Sequence, residues 1–366
     1  MGHTVSEVDY TRTMLLESAE RAFSECCTKS VLDEAEAGVW PEKLWNTLVE
    51  IGFFQAAIPE EQGGAGLELA DLLAAVRVSG RYSAPIPFGE TLIAGWLLAR
   101  ADLEVSAGPL AFGPVTRCRQ FDLSCGSSGW VLNGIVRAVP WANRVSRVVL
   151  LVETNDGQVI ASVDSRFAQR VDKTNLAGEP RAHLQFDRVA ISEADVAVVP
   201  ETSRLHSSMV YGAVLRGLQM AGALQTACDL SVRYASERIA FGKPLNKLPA
   251  VQQNLAVLAG QAAAANVAAD LMLDALTRGA ANLAASVALA RVRINEAVEI
   301  GARLAHQAHG AIGFTYEHML HHATRRLWSW RDEFGNDAYW SETVGQQLIE
   351  GGADQFWNTI TEVAQL

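Results

Sequence analysis

Apolar positions change their spacing twice along this chain, and the changes divide it. Up to about residue 108, hydrophobic side chains recur at three- and four-residue intervals, the spacing of one helix face. Trp45, Leu48 and Ile51 close one such segment at Gly52, and PEEQGGAG (59–66) breaks the pattern with glycines. It resumes from Leu67 through Leu72, Leu73 and Val76 to Gly80, then stops at SAPIPFGE (83–90) before a short apolar helix, TLIAGWLLAR. Between about 109 and 200 the texture is different. GWVLNGIVRAVP, RVVLLVET, QVIASVD and HLQFDRVAI are short, β-branched and separated by Asn, Asp and Gly, which predicts strands. From about 201 onward the helical spacing returns in three long alanine-rich segments, 215–240, 251–279 and 282–308. Small residues let helices approach closely in a bundle. The expected architecture is α+β: an N-terminal helical domain (1–108), a central small β-domain (109–200) and a C-terminal antiparallel helical bundle (201–366).

Composition narrows the partners. With 366 residues the chain is too long for one ordinary core. Its 30 basic and 41 acidic side chains leave a net charge of −11, which argues against nucleic acid or an anionic membrane as partner. A local basic patch for a phosphorylated cofactor is compatible with that balance. No apolar run of the roughly 18–20 residues that a membrane span needs is legible. The acidic start, with Glu7, Asp9, Glu17 and Glu20, predicts no signal peptide. Five cysteines without a CxxC pair suit a reducing cytoplasm. His318, His321 and His322 lack the HExxH order, so no metal is assigned and they read as helix-surface or interface residues. Trp328, Trp330, Phe334, Tyr339, Trp340 and Trp357 either line a large hydrophobic substrate or pack the C-terminal helices against a partner.

Three stretches, in order and with a β-domain between the first two, resemble the acyl-CoA dehydrogenase family. They are Leu44–Arg81, with its Pro-Glu-Glu-x-Gly-Gly turn; Tyr234–Ala256, with Arg-x-x-Phe-Gly; and Ala305–Arg326, close to Gln-x-x-Gly-Gly-x-Gly-Tyr/Phe-Thr. The resemblance implies FAD as cofactor, an acyl-CoA substrate, and an electron-transfer flavoprotein or similar acceptor. It also implies a homodimer or a heterotetramer with a related subunit. In that family the isoalloxazine lies between β-domain and C-terminal bundle, while pyrophosphate and adenine reach a neighbouring subunit. Arg238, Phe241, Gln307, Gly310 and Gly313 match the segments that serve the neighbour's cofactor. Arg238 can give a bidentate donor set to pyrophosphate, and the glycines let backbone approach it. The family's carboxylate base removes an α-proton while the β-hydrogen leaves as hydride to the flavin.

The sequence departs from this pattern where the base belongs. The helix position of the base falls on Gly212, followed by Ala213. The alternative, a late loop, corresponds to WSWRDEFGNDAYW (328–340), where an ungapped match puts Phe334 in the glutamate column and a one-residue gap puts Glu333 there. Glu333 is the candidate base, with an ion-paired surface carboxylate as its competing role. The β-domain lacks the Thr-Glu…Gly-Ser-Asp stretch, and only Trp141, in VPWANR, remains as a candidate flavin contact. A donor half that is intact beside an eroded half of its own resembles the smaller subunits of heteromeric acyl-CoA dehydrogenases, which often act on CoA thioesters of steroids. Two functions are therefore carried forward: an acyl-CoA dehydrogenase, alone or with a partner, and an inert structural subunit that completes a partner's FAD site.

Overall fold

The computed structural model describes residues 7–127, 129–240, 242–279, 283–352 and 354. Five helices come first: α1 (Glu7–Cys26), α2 (Lys29–Glu36), α3 (Glu42–Ile51), α4 (Leu69–Arg81) and α5 (Phe88–Arg100). Eight strands follow: β1 (Leu110–Gly113), β2 (Gln120–Gly126), β3 (Gly129–Pro140), β4 (Arg147–Thr154), β5 (Gly157–Asp164), β6 (Gln169–Thr174), β7 (Pro180–Ile191) and β8 (Val196–Val198). Then come α6 (Ser208–Glu237), a two-residue ladder of β9 (Ile239–Ala240) and β10 (Lys243–Pro244), α7 (Pro249–Thr277), α8 (Leu283–His309), α9 (Leu320–Arg331) and α10 (Asp337–Gly351). This is the expected α+β architecture of helices, sheets and helices. The small ladder, with Gly242 at φ +77°, was not read from the helical spacing around it.

The strands form two four-stranded sheets, in the orders β1-β4-β5-β8 and β2-β3-β7-β6. Only β1 on β4 is parallel among the strand pairs of these sheets. The first sheet has two buried faces, which explains why β4 reads as an unbroken apolar run. Val148, Leu150 and Val152 enter the core between the sheets, and Val149 and Leu151 enter the helical core. Strand β6 is exposed along its whole length and shows no alternation, so nothing in its pattern marks it as a strand.

In the bundle, α6 runs through the middle, buried from Ser208 to Leu224. Its crossing with α4 is too close for side chains. A Cβ on Gly222 would lie 2.0 Å from the Arg77 carbonyl oxygen, and one on Gly80 would lie 2.2 Å from that of Gln219. Helix α7 is long and apolar enough, by length and composition, to cross a membrane; alanines, rather than one run of large side chains, give it that character. Leu258, Ala262, Ala265, Ala269 and Met272 bury one of its faces in the helical core. The Gly222→Ala variant must move a helix backbone, so we expect a loss of about 2–3 kcal/mol, measured as a fall in the urea midpoint.

Candidate functional site

The segment between α9 and α10 is pinned from two sides. Arg291 Nη2, on α8, donates to the carbonyls of Arg331 (3.2 Å), Glu333 (3.3 Å) and Gly335 (2.9 Å). Trp340 Nε1 donates to Phe334 O (3.2 Å) and Gly335 O (3.1 Å). Arg291 is fully buried, and burial, with Arg216 nearby, brings it down to about 9, so it stays cationic at neutral pH. Between these clamps Phe334 and Gly335 adopt left-handed φ of +53° and +98°. A glycine is required at 335, since a Cβ would lie 2.5 Å from Trp340 Nε1.

That turn lays the Phe334 ring on α6. A Cβ on Gly212 would lie 1.9 Å from the ring, and Phe112 stacks on it with centroids 6.0 Å apart. Gly212 and Phe334, the helix position and the ungapped loop position matched above to the family's base, therefore meet at one place. A fully buried phenyl ring fills it.

Glu333 turns instead into a buried ion cluster. One of its oxygens accepts from Arg181 Nε (2.7 Å) and the other from Arg216 Nε (2.7 Å). Arg216 also donates to Glu90 (2.7 Å) and Gln219 (2.5 Å) and lies near the rings of Trp330 and Phe334. Arg181 reaches Glu179 at 3.1 Å, and Glu179 further accepts from Trp330 Nε1 (3.0 Å) and Asn175 (2.8 Å) and pairs with Arg326 (3.2 Å). Three carboxylates thus face three guanidinium groups. Burial alone would raise Glu179, but Arg326, Arg181 and Arg216 outweigh it and hold it at about 2. Burial likewise works against the charge on Arg216, and Glu333, Glu90 and Glu179 overcome it. Of the six charged residues in the cluster, sequence reading singled out only Glu333. The usable signal was a lone Arg216 in YGAVLRGLQM and a lone Glu90 in FGETLIAG, charges inside apolar helical runs.

The opposite end of α6 is open. Arg238 caps the helix with its backbone, and its exposed guanidinium has no partner among the described residues. Arg233, Lys243, Lys247 and Arg303 are also exposed without an ion-pair partner there. Residues 233–247 carry four cations and one carboxylate, in a chain of net charge −11. Gln307 is exposed, and Gly310, at φ +63°, has nothing within 4 Å of where a Cβ would lie. Beneath them Tyr234 stacks on His309 at 4.7 Å, and His318 meets His309 edge-on at 4.5 Å. Burial brings His309 down to about 4, so its ring is neutral at neutral pH. Free donors and bare backbone fit a dinucleotide pyrophosphate arriving from outside the chain. The inner seam does not fit a flavin in the same way, because the ion cluster and Phe334 fill it.

The remaining expected residues fall elsewhere. Gly313 is buried, and its bareness serves packing: a Cβ would lie 2.9 Å from His309 Cβ. Trp141, at φ +60°, packs in the core between the sheets and donates its backbone N–H to Pro180 O at 3.0 Å. Phe241 and Trp357 lie outside the described residues. His321 and His322, expected at a surface or interface, are buried where α9 meets α2. His322 contacts Asp33 (3.0 Å) and Glu36 (2.9 Å), carboxylates that Lys29 and Arg325 already engage. Asp33, His321 and His322 have the donor types of a metal site, and these two cations oppose one.

Glu179 gives this cluster a pH signature. Its folded value of about 2 lies below that of a free glutamate, so its contribution is complete above roughly pH 4.3 and is lost as pH falls through about 2. Replacing it with Gln leaves Arg326 without its buried counter-charge and Arg181 with Glu333 alone. We expect Glu179→Gln to lose about 3–5 kcal/mol at neutral pH and to flatten the acid limb of the stability curve, followed by urea unfolding at several pH values.

The comparisons agree with the fold. Residues 10–101 match the acyl-CoA dehydrogenase N-terminal domain and residues 203–349 the acyl-CoA dehydrogenase C-terminal domain. Acyl-CoA dehydrogenase IpdE2 of Mycobacterium tuberculosis is 30% identical over 285 residues, covering 77% of this chain and 79% of that protein. Acyl-CoA dehydrogenase FadE34 of the same organism is 27% identical over 342 residues, 91% of this chain but only 46% of that protein. Among solved structures, the ChsE4–ChsE5 complex from M. tuberculosis superposes with a TM-score of 0.84 at 19% identity, covering 96% of this chain and 100% of the matched one. The Tcur3481–Tcur3483 steroid ACAD variant gives 0.83 at 21% identity, covering 94% and 99%. Fold, family segments and an IpdE2 relative at this identity and coverage agree: the chain belongs to the acyl-CoA dehydrogenase family, whose cofactor is FAD.

Proposed function

We propose that this chain is the divergent subunit of a heteromeric acyl-CoA dehydrogenase and completes the FAD site of a related subunit. The observation that carries the reading is the Phe334 ring seated on Gly212, where the family's base belongs. A phenyl ring accepts no proton. Both Glu333 oxygens are already taken by guanidinium groups of Arg181 and Arg216. The partner would supply the base and hold the reacting end of the flavin, which accepts the β-hydrogen as hydride when bound. This chain's share is binding and orientation: Arg238 on the pyrophosphate, Gln307 as an amide donor, and Gly310 for close backbone approach. The substrate class is a steroid-derived acyl-CoA, a reading supported by the Tcur3481–Tcur3483 steroid ACAD on the same fold, while the ChsE4–ChsE5 complex supports assembly with a second chain. Reduced flavin would pass its electrons to an electron-transfer flavoprotein or a similar acceptor.

A second reading keeps Glu333 as the base of a self-sufficient enzyme. One observation favours it: the Glu333 side chain is 12% exposed, against 0% for Glu90 and 4% for Glu179.

Co-expression with a related subunit tests both. On the first reading the complex is yellow and this chain alone is colourless. Arg238→Ala removes a charge-assisted contact of roughly 1.5–3 kcal/mol, so FAD affinity of the complex should fall at least about tenfold, read by flavin retained after dialysis. Full retention in the variant would sink the assignment. Glu333→Gln separates the readings: turnover per bound flavin stays intact on the first and drops by about 10²–10⁴-fold on the second.

A further inference from the structure

We infer that the buried arginine–carboxylate cluster acts as the joint between the three regions of this chain, and that the subunit holds its domain arrangement without a flavin of its own. The inference does not depend on what Arg238 binds.

Each region contributes charge to one place. Glu90 comes from α5 in the N-terminal helices. Glu179 and Arg181 come from the start of β7 in the β-domain. Arg216 and Arg326 come from α6 and α9, and Glu333 from the loop that follows. Apart from Glu333, every member is nine-tenths or more buried. Several kilocalories are lost when each such ion leaves water, and the pairing repays that only when all partners are in register. The cluster therefore opposes separation of any one region: loss of α5 takes Glu90 from Arg216, and loss of the β-domain takes Glu179 from Arg326 and Arg181 from Glu333. Its geometry is held further by Trp330 and Asn175 on Glu179 and by Arg291 on the Glu333 backbone.

The connections between regions are thin. Residues 103–106 and 204–207 are neither helix nor strand, and Arg204 is 49% exposed, bonded to Glu153 and Glu201 at the surface. Leu205 is tied to Gln158 of β5, Arg204 to Glu153, and one apolar core runs from the N-terminal helices through β4 into α6, so the cluster acts together with these contacts, and cleavage at Arg204 reports when they loosen.

The test is limited trypsin proteolysis at Arg204, on the full chain purified free of flavin, with and without saturating FAD. Cleavage tracks the opened population when reclosing is fast. We expect slow cleavage of the unmodified chain that FAD does not change. Arg216→Leu should be cut at least about tenfold faster, with FAD giving no protection, while circular dichroism shows the helices retained. If that variant is insoluble, the near-isosteric Glu90→Gln, in which Arg216 keeps Glu333, decides, with an expected acceleration of several-fold. Strong protection of the unmodified chain by FAD would overturn the inference, because it would mean that the inner seam opens to admit a flavin. Cleavage of Glu90→Gln at the unmodified rate would overturn it too. Either result leaves the Arg238 experiment standing, since that one reads flavin in the complex.

Discussion

Six charges removed from water at one seam have to be neutralised there, and much of this structure follows from how that is done. Arg216 is the centre: it is 1% exposed and bonded to carboxylates from two other parts of the chain. An arginine so placed cannot shed its proton, and it cannot move without leaving Glu90 and Glu333 buried and unpaired. Its partners are thereby fixed relative to α6. Holding Glu333 fixes the loop that follows α9, and the loop fixes Phe334. The ring against Gly212 is the consequence of an electrostatic constraint as well as of an apolar one.

The same logic distinguishes the two ends of α6. At its N-terminal half every strong donor is met within the chain. At its C-terminal end Arg233, Arg238, Lys243 and Lys247 are met by nothing among the described residues. An unpaired exposed cation is ordinary by itself. Four of them beside one carboxylate, next to a bare left-handed Gly310 and over the Tyr234–His309 stack, form a surface suited to an anion with an aromatic end.

Sequence periodicity made the long elements legible because their burial is one-sided or complete over many residues. The segments read at 215–240, 251–279 and 282–308 are found as α6, α7 and α8. Strands β3, β4, β5 and β7 were legible for the same reason. Strands β1, β2, β6 and β8 were not, being short or exposed, and fixed by pairing with distant partners. The ion cluster was illegible because most of its pairs join residues far apart in sequence, 117 positions between Glu333 and Arg216 and 152 between Glu333 and Arg181. The one-residue ambiguity between Glu333 and Phe334 was a question of which side chain faces α6. Only the backbone turn at Phe334 and Gly335, set by Arg291 and Trp340, answers it.

Under the proposed reading these two ends also bear on what the partner must be. A second copy of this chain would bring another free donor end and another closed seam. Its donors would face a cleft already occupied by Phe334 and by charges that satisfy one another, so neither copy would gain a cofactor contact. A related chain with the same fold but an open seam would use every group left free here. One subunit closes its seam with arginine–carboxylate pairs and a phenyl ring, while both keep the outward donors. In that sense the erosion of one half-site and the persistence of the other are a single adaptation. Under that reading the chain keeps no flavin of its own, and the buried cluster joins the shared apolar core in holding its regions together.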